Sequence, residues 1–306
     1  MTEIHQPDRA PHQPFSVSPG IDVIPLRTPT LPPATHTNCI VLGGRQSIVV
    51  DPASPYPDEQ DRLLNWIREQ QREVIAIWLT HHHYDHIGGA EALRKASGAP
   101  ILAHPLTSQQ LDGDLTVDEA LYQGDRGNLE EFDIEVLHTP GHARGHLAFL
   151  ERNCGVLIAG DLIAGQGTIV IDPPEGNMAD YLHSLGRLLL GPQLRIIPAH
   201  GPIIDDGHQT LLAYIAHRKN REEQIIALLE QRQPATPIEL VPEIYPEVPS
   251  LFHPLAERQV LAHLLKLVED GLVSRSDGGG QVPGRPVYMS SGGQNRPVLV
   301  SFRLTR

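Results

Sequence analysis

Thr80-His81-His82-His83-Tyr84-Asp85-His86 packs five metal-capable side chains into seven residues. The run directly follows Val74-Ile75-Ala76-Ile77-Trp78-Leu79, an apolar stretch that predicts a strand. A strand ending at Leu79 delivers the cluster to the rim of a sheet. His81 and His83 are two apart, so in extended chain both point to one side. Asp85 and His86 come next, at a predicted turn into a helix over Ile87–Leu93. Two imidazoles on one side, with a carboxylate and an imidazole on the following turn, can hold two neighbouring metal ions.

The 306 residues suffice for one large domain and a smaller one. Apolar content of 40% and charged content of 20% fit a globular protein in water. No segment approaches the ~18 uninterrupted apolar residues of a membrane span. The first twenty residues are polar, with Glu3 and Asp8, and read as a flexible arm rather than a secretory leader. Cys39 and Cys154 read as two free thiols, and a cytoplasmic location follows. The net charge of −13 falls entirely within residues 1–218, while residues 219–306 are neutral. Neither part is basic, which argues against a protein whose main task is coating nucleic acid.

Outward from the histidine run, residues 21–50 predict paired strands, Ile21–Leu26, Cys39–Gly44 and Ser47–Asp51, with a Gly43-Gly44-Arg45-Gln46 turn. Asp58 is the expected N-cap of a helix over Glu59–Gln71. A helix near 88–96, a short strand 101–104, and an acidic, turn-rich stretch over 105–130 follow. Strands are expected at 134–137, 147–150, 155–159 and 194–198, with a helix over 178–190. Interleaved strands and helices place residues 19–208 in a layered α/β domain, after an arm over 1–18. Gln209–Gln231 reads as one long helix, ended by Pro234. Helices Pro237–Tyr245 and Pro254–Glu269, a glycine turn at 278–280 and a strand at Pro286–Met289 describe a winged-helix module within 209–306.

Three later loops repeat the pattern of an apolar strand followed by a ligand-type residue in a tight turn. They are Leu137-His138-Thr139-Pro140-Gly141-His142, Leu157-Ile158-Ala159-Gly160-Asp161 and Ile196-Ile197-Pro198-Ala199-His200-Gly201. Glycine and proline fix turns sharp enough to aim a side chain at a shared point. Taken with the first run, His-x-His-x-Asp-His, Thr-Pro-Gly-His, Ala-Gly-Asp and Pro-Ala-His-Gly resemble the metallo-β-lactamase-fold superfamily over roughly residues 20–205. The resemblance implies a four-layered αβ/βα sandwich with a dinuclear zinc site, manganese or iron being alternatives. It implies that His81, His83 and His142 hold one ion and that Asp85, His86 and His200 hold the other. Asp161 would bridge both, and Asp51 would stand behind the site as a hydrogen-bond partner.

The His142-x-x-x-His146 spacing, Gly165-Gln166-Gly167-Thr168, the Tyr214–Glu222 segment and the winged-helix tail narrow the match. They resemble the β-lactamase-like protein 2 family, associated with zinc-dependent cleavage of single-stranded RNA, with thioesterases among its relatives. Ala199 stands where glycine is more usual, and Ile171–Asn177 reads as an extended loop beside the site. The expected enzyme is a metal-dependent hydrolase whose nucleophile is a hydroxide bridging the two ions and oriented by Asp85. His146 is the expected acid for an alkoxide leaving group, whereas a thiolate hardly needs one. Single-stranded RNA is the first substrate expected, and a thioester of glutathione, coenzyme A or an acyl carrier is the alternative. His82 is expected to face away from the ions, Tyr84 to pack, and His104, His138 and His183 to play structural parts.

A reading of another class is a winged-helix regulator of DNA. Its recognition helix would present Arg258, His263 and Lys266, opposed by Glu257, Glu269 and Asp270, a poor set for reading a groove. The tail is expected instead to pack over the cleft, contact substrate or form a homodimer, with no membrane partner and no specific duplex DNA.

Overall fold

The computed structural model describes residues 12–305 apart from 112, 114, 130, 131 and 276–299. The chain gathers into two compact units. The first takes in residues up to Thr139, Gly145–Ile169 and Pro192–His208. The second takes in Pro140–Arg144, Val170–Gly191 and the chain from Gln209 on. Two segments from inside the stretch expected to form the catalytic domain therefore cluster with the C-terminal part.

In the first unit one sheet runs, in spatial order, β1 (Phe15–Ser18), β2 (Ile21–Arg27), β3 (His36–Gly43), β4 (Gln46–Val50), β5 (Glu73–Trp78), β6 (Ile101–Ala103) and β7 (Glu119–Ala120). β1 to β4 pair antiparallel and β4 to β7 pair parallel. Parallel steps need crossovers. They are supplied by α1 (Pro57–Glu69), by α2 (Tyr84–Ile87) with α3 (Ala90–Ser97), and by α4 (Pro105–Ser108). A second sheet holds β8 (Arg126–Leu129), β9 (Phe132–His138), β10 (Leu147–Glu151), β11 (Val156–Gly160) and β12 (Arg195–Pro198). Only its β11–β12 step is parallel.

Period-two alternation makes two cores from the first sheet. Val23, Ile40, Leu42, Ile48, Val50 and Trp78 meet Ile134, Val136, Leu147, Phe149 and Ile158 of the second sheet. The rings of Trp78 and Phe149 lie 4.9 Å apart. The intervening residues Ile24, Leu26, Cys39, Val41, Val49 and Ile77 cover the opposite face against Leu63, Ile67, Ala90 and Leu93 of α1 and α3. Burying a Leu, Ile or Phe side chain contributes roughly 1.5–3 kcal/mol, so these two layers dominate the stability of the unit.

Two local expectations need correction. Asp58 is not the cap of α1. Pro57 opens the helix with Tyr56 at the N-cap, because a residue without an N–H fits the first helical position. Asp58 sits in the first turn and pairs with Arg27 at 2.7 Å. Within the stretch expected as turns, α4, β7 and β8 form; two- to four-residue elements are too short to show a period.

The second unit contains α5 (Met178–Leu189), nearly all of α6 (Gly207–Gln231), α7 (Pro237–Ile244), α8 (His253–Glu269), and the pair β13 (Val273–Arg275) and β14 (Phe302–Leu304). Ile225, Leu229, Leu240, Val241, Val260, Leu264, Val273 and Phe302 form its core. The glycine turn at 278–280 and the strand at Pro286–Met289 lie outside the described residues. All three basic side chains expected on a recognition helix are engaged within the unit. Arg258 pairs with Asp172, the fully buried His263 faces Glu222, and Lys266 holds Glu222 and Asp270 at 2.8 Å each. No helix among the described residues is long and apolar enough to cross a membrane. Both cysteines are free, Cys39 buried and Cys154 exposed.

Candidate metal centre

The parallel pair β4 and β5 end side by side, with Val50 opposite Trp78. Asp51 follows β4 in a left-handed conformation, at φ 48°, which aspartate tolerates better than most residues. Its backbone N–H bonds Trp78 O at 3.0 Å. Its carboxylate accepts from the Thr80 N–H at 2.8 Å and from the Thr80 hydroxyl at 2.7 Å. It also accepts from Nδ1–H of His86, 2.8 Å away. One buried carboxylate thus fixes both the strand end and the ring orientation of His86, where the sequence placed a partner behind the site.

The helix expected from Ile87 is broken. α2 stops at Ile87, and Gly88-Gly89 precede α3. A Cβ on Gly88 would stand 2.7 Å from Pro55 N, and one on Gly89 would stand 2.3 Å from Pro52 O. The glycine pair lets the short turn carrying Asp85 and His86 press against the 52–55 backbone.

From the second sheet, β11 ends at Gly160 with φ 53°. A Cβ there would meet His146 Nε2 at 2.7 Å and Thr80 Cβ at 2.9 Å, so only glycine lets Asp161 start where it does. The Asp161 N–H donates to His146 Nε2 at 3.0 Å. His200, after β12, donates Nδ1–H to His36 O at 3.0 Å. Its Nε2 then faces Asp161 Oδ1 at 3.3 Å and Asp85 Oδ2 at 3.5 Å. Asn38 ties the β12 end to the first sheet: its side-chain amide donates to Pro198 O at 2.8 Å, and its backbone N–H to Ala199 O at 2.7 Å.

The result is two groups. Ligand atoms of His81, His83 and Asp161 lie within 4.8 Å of one another, as do those of Asp85, His86 and His200. Nε2 of His81 and Nδ1 of His83 are 3.0 Å apart. The sequence reading put all six in one site, and the first unit brings them together in these two threes. The seventh, His142, sits on the Pro140–Arg144 loop of the second unit with Nδ1 2.7 Å from Val170 O. That contact occupies Nδ1, so an ion would be met through Nε2.

His86 tests whether this donor set suits a metal. Its Nδ1 is on Asp51, and its Nε2 is buried with no hydrogen-bond partner among the described residues; Asp161 Oδ1, at 3.5 Å, is beyond a good hydrogen bond. A buried ring nitrogen in that state calls for a ligand, and nitrogen and carboxylate donors together suit a divalent transition ion. Charge agrees. Burial disfavours the imidazolium of His86, but Asp161 and Asp51 outweigh it and hold the group well above its usual range. Burial favours a neutral Asp161, yet His200 and His86 hold it well below the carboxylate range. Burial likewise opposes a charged His200, and Asp161 raises it. The carboxylates demand positive charge, which protons or bound cations can supply.

His146 is not placed as a leaving-group acid. Its ring is fully buried. Nε2 accepts from Asp161 N–H, so the neutral ring carries its proton on Nδ1, 2.8 Å from Thr139 Oγ1. It braces the backbone that carries Asp161. Tyr84, expected to pack, is 62% exposed. His104 and His138 stack at 4.3 Å, and burial together with His138 pushes His104 down to about 4. The sequence gives no role to Thr80, Asn38 or Thr139, although Thr80 and Thr139 stand within the runs that carry the candidate ligands.

Residues 32–200 match the metallo-beta-lactamase superfamily model, and residues 236–281 match the beta-lactamase associated winged helix domain. The beta-lactamase-like protein 2 homolog of Drosophila melanogaster is 30% identical over 248 residues, covering 77% of this chain and 83% of the relative. An atrochrysone carboxyl ACP thioesterase of Aspergillus chevalieri is 32% identical over 200 residues, covering 64% and 62%. The crystal structure of a beta-lactamase domain protein from Burkholderia ambifaria superposes with a TM-score of 0.79 at 19% identity, covering 99% and 96%, which speaks to the fold.

Proposed function

The chain belongs to the metallo-beta-lactamase superfamily and is a hydrolase of that family, and from that premise we propose that it hydrolyses thioesters with the help of two zinc ions. His81, His83 and His142 would hold one ion, Asp85, His86 and His200 the other, and Asp161 both. Bound there, the ions would lower the pKa of a shared water and polarise the acyl carbonyl. Asp85 would orient that water while ligating. Asp51, through Thr80 and His86, keeps the donors fixed, and His146 holds Asp161 by its backbone.

The observation that carries the thioester over the RNA reading is the placement of His146. An alkoxide leaving group needs a proton, and the one side chain expected to provide it is buried with both ring nitrogens engaged. A thiolate departs without such help. The excess negative charge of residues 1–218 also disfavours a polyanionic substrate. RNA cleavage remains the second reading, supported by the likeness to the beta-lactamase-like protein 2 homolog over 77% of the chain.

The test is a screen of the zinc-reconstituted full chain. Acyl-coenzyme A, acyl-pantetheine and acyl-glutathione thioesters are set against single-stranded RNA and bis-p-nitrophenyl phosphate. Turnover of a thioester at a kcat/KM at least tenfold above that of either phosphodiester is expected. The reverse order overturns the thioester reading.

A further inference from the structure

Within the second unit, the Pro140–Arg144 loop is fastened at four points. Ser184 Oγ donates to Pro140 O at 2.7 Å, and Asn177 N–H to Gly141 O at 2.7 Å. His142 Nδ1 lies on Val170 O at 2.7 Å, and Arg144 Nη2 donates to Pro174 O at 3.0 Å. Gly141 has φ 143°, and a Cβ on it would stand 2.4 Å from Tyr181 Cα. The loop therefore lies flat on the start of α5. Every one of these partners falls in 170–184.

That segment is held in turn by α8. Arg258 pairs with Asp172. On the next residue, Gln259 Oε1 accepts from Arg218 Nη1 at 3.1 Å. The Arg218 guanidinium lies over the ring of Tyr181, 5.3 Å from its centroid. Arg218, Tyr181 and Gln259 are 1%, 0% and 6% exposed. A buried guanidinium is costly unless contacts such as these satisfy it.

We propose that the winged-helix module positions the candidate metal ligand His142. Arg258 and the Gln259–Arg218–Tyr181 relay are positioning residues for His142, acting through the 170–184 segment. The inference rests on the reading of His142 as a ligand. The physical cause is ordinary. A ligating imidazole needs its other nitrogen held by a fixed acceptor, and losing such support typically weakens metal affinity about 10- to 100-fold. Here that acceptor, Val170 O, belongs to a segment whose own anchors are on α8.

The experiment measures zinc stoichiometry and affinity of the full chain by chelator competition, with melting of the metal-free protein followed alongside. His142→Ala is expected to weaken one zinc of the two and spare the other. Asp172→Asn and Arg258→Ala are expected to weaken that same zinc about 10- to 100-fold, with the second zinc and the metal-free melting temperature unchanged. A half-exposed ion pair contributes little to overall stability, so these variants keep their fold. The exchange Arg258→Asp with Asp172→Arg is expected to restore affinity to within a few-fold. Arg218→Met, which keeps bulk without charge, tests the buried relay by the same readout. If His142→Ala binds both zinc ions normally, the ligand reading fails. If His142→Ala loses one zinc while Asp172→Asn and Arg258→Ala bind as the unaltered chain does, the positioning proposal fails alone.

Discussion

The stretch His81–His86 and the loop carrying His142 both present ligand-type side chains, but they are built in opposite ways. The first is contiguous and is braced by its own neighbourhood. Asp51, Thr80 and the Gly88-Gly89 break are all within the first unit and within about one crossover of the ligands. The second is five residues long and is braced by groups from 170 onward in the second unit. The first stretch is thus set by a sheet edge, and the His142 loop by packing within the second unit. Damage should spread differently from each.

The largest effect is expected where ligand groups are removed outright. Asp161→Ala takes away the carboxylate proposed to meet both ions. It should lower kcat by at least about 10³-fold, since a metal's charge stabilisation amounts to several kcal/mol, and elemental analysis should show lost zinc. Next comes the brace. His146→Ala leaves the buried Asp161 N–H without an acceptor and opens a cavity. A stability loss of roughly 2–4 kcal/mol in urea unfolding follows. Thioester and phosphodiester turnover should fall equally. A loss confined to phosphodiesters would restore His146 as the acid.

A smaller contrast separates metal-free from zinc-loaded protein across pH. His86 is raised above its usual 6.5, so its contribution to stability is full below 6.5 and is lost as pH rises through its folded value. Asp161 is depressed below 3.8, so its contribution is full above 3.8 and is lost as pH falls through its folded value. Both are complete between 3.8 and 6.5. Metal-free melting temperature should peak there and fall on the alkaline side. Zinc should remove the alkaline fall, because the ions take over from the protons. A metal-free curve rising steadily from pH 6.5 to 9 would contradict the arrangement. The smallest effect belongs to Tyr84→Ala. Its exposed ring should leave stability within about 0.5 kcal/mol and zinc content unchanged. Any change should appear in KM alone.

Much of this site was legible in the chain because strands announce themselves. Apolar runs ending in His, Asp or a glycine turn mark the C-terminal rims of β5, β9, β11 and β12 within a residue or two. The break at Gly88-Gly89 was not legible, because a helical pattern continues on both sides and only the nearness of Pro52 and Pro55 forbids a Cβ. Nor was the burial of His146. A histidine four residues after a candidate ligand looks equally like an acid or a strut until its two ring nitrogens are seen to be spoken for.

The chain's own order of residues determined which groups could ligate and which fold would carry them, because ligand chemistry and period-two burial are properties of short segments. Tertiary structure alone decided which of those groups are held, by what, and in which unit. Val170, Asp172 and Arg258 bear on His142 across gaps of 28 to 116 positions, and no local pattern encodes a contact over that distance.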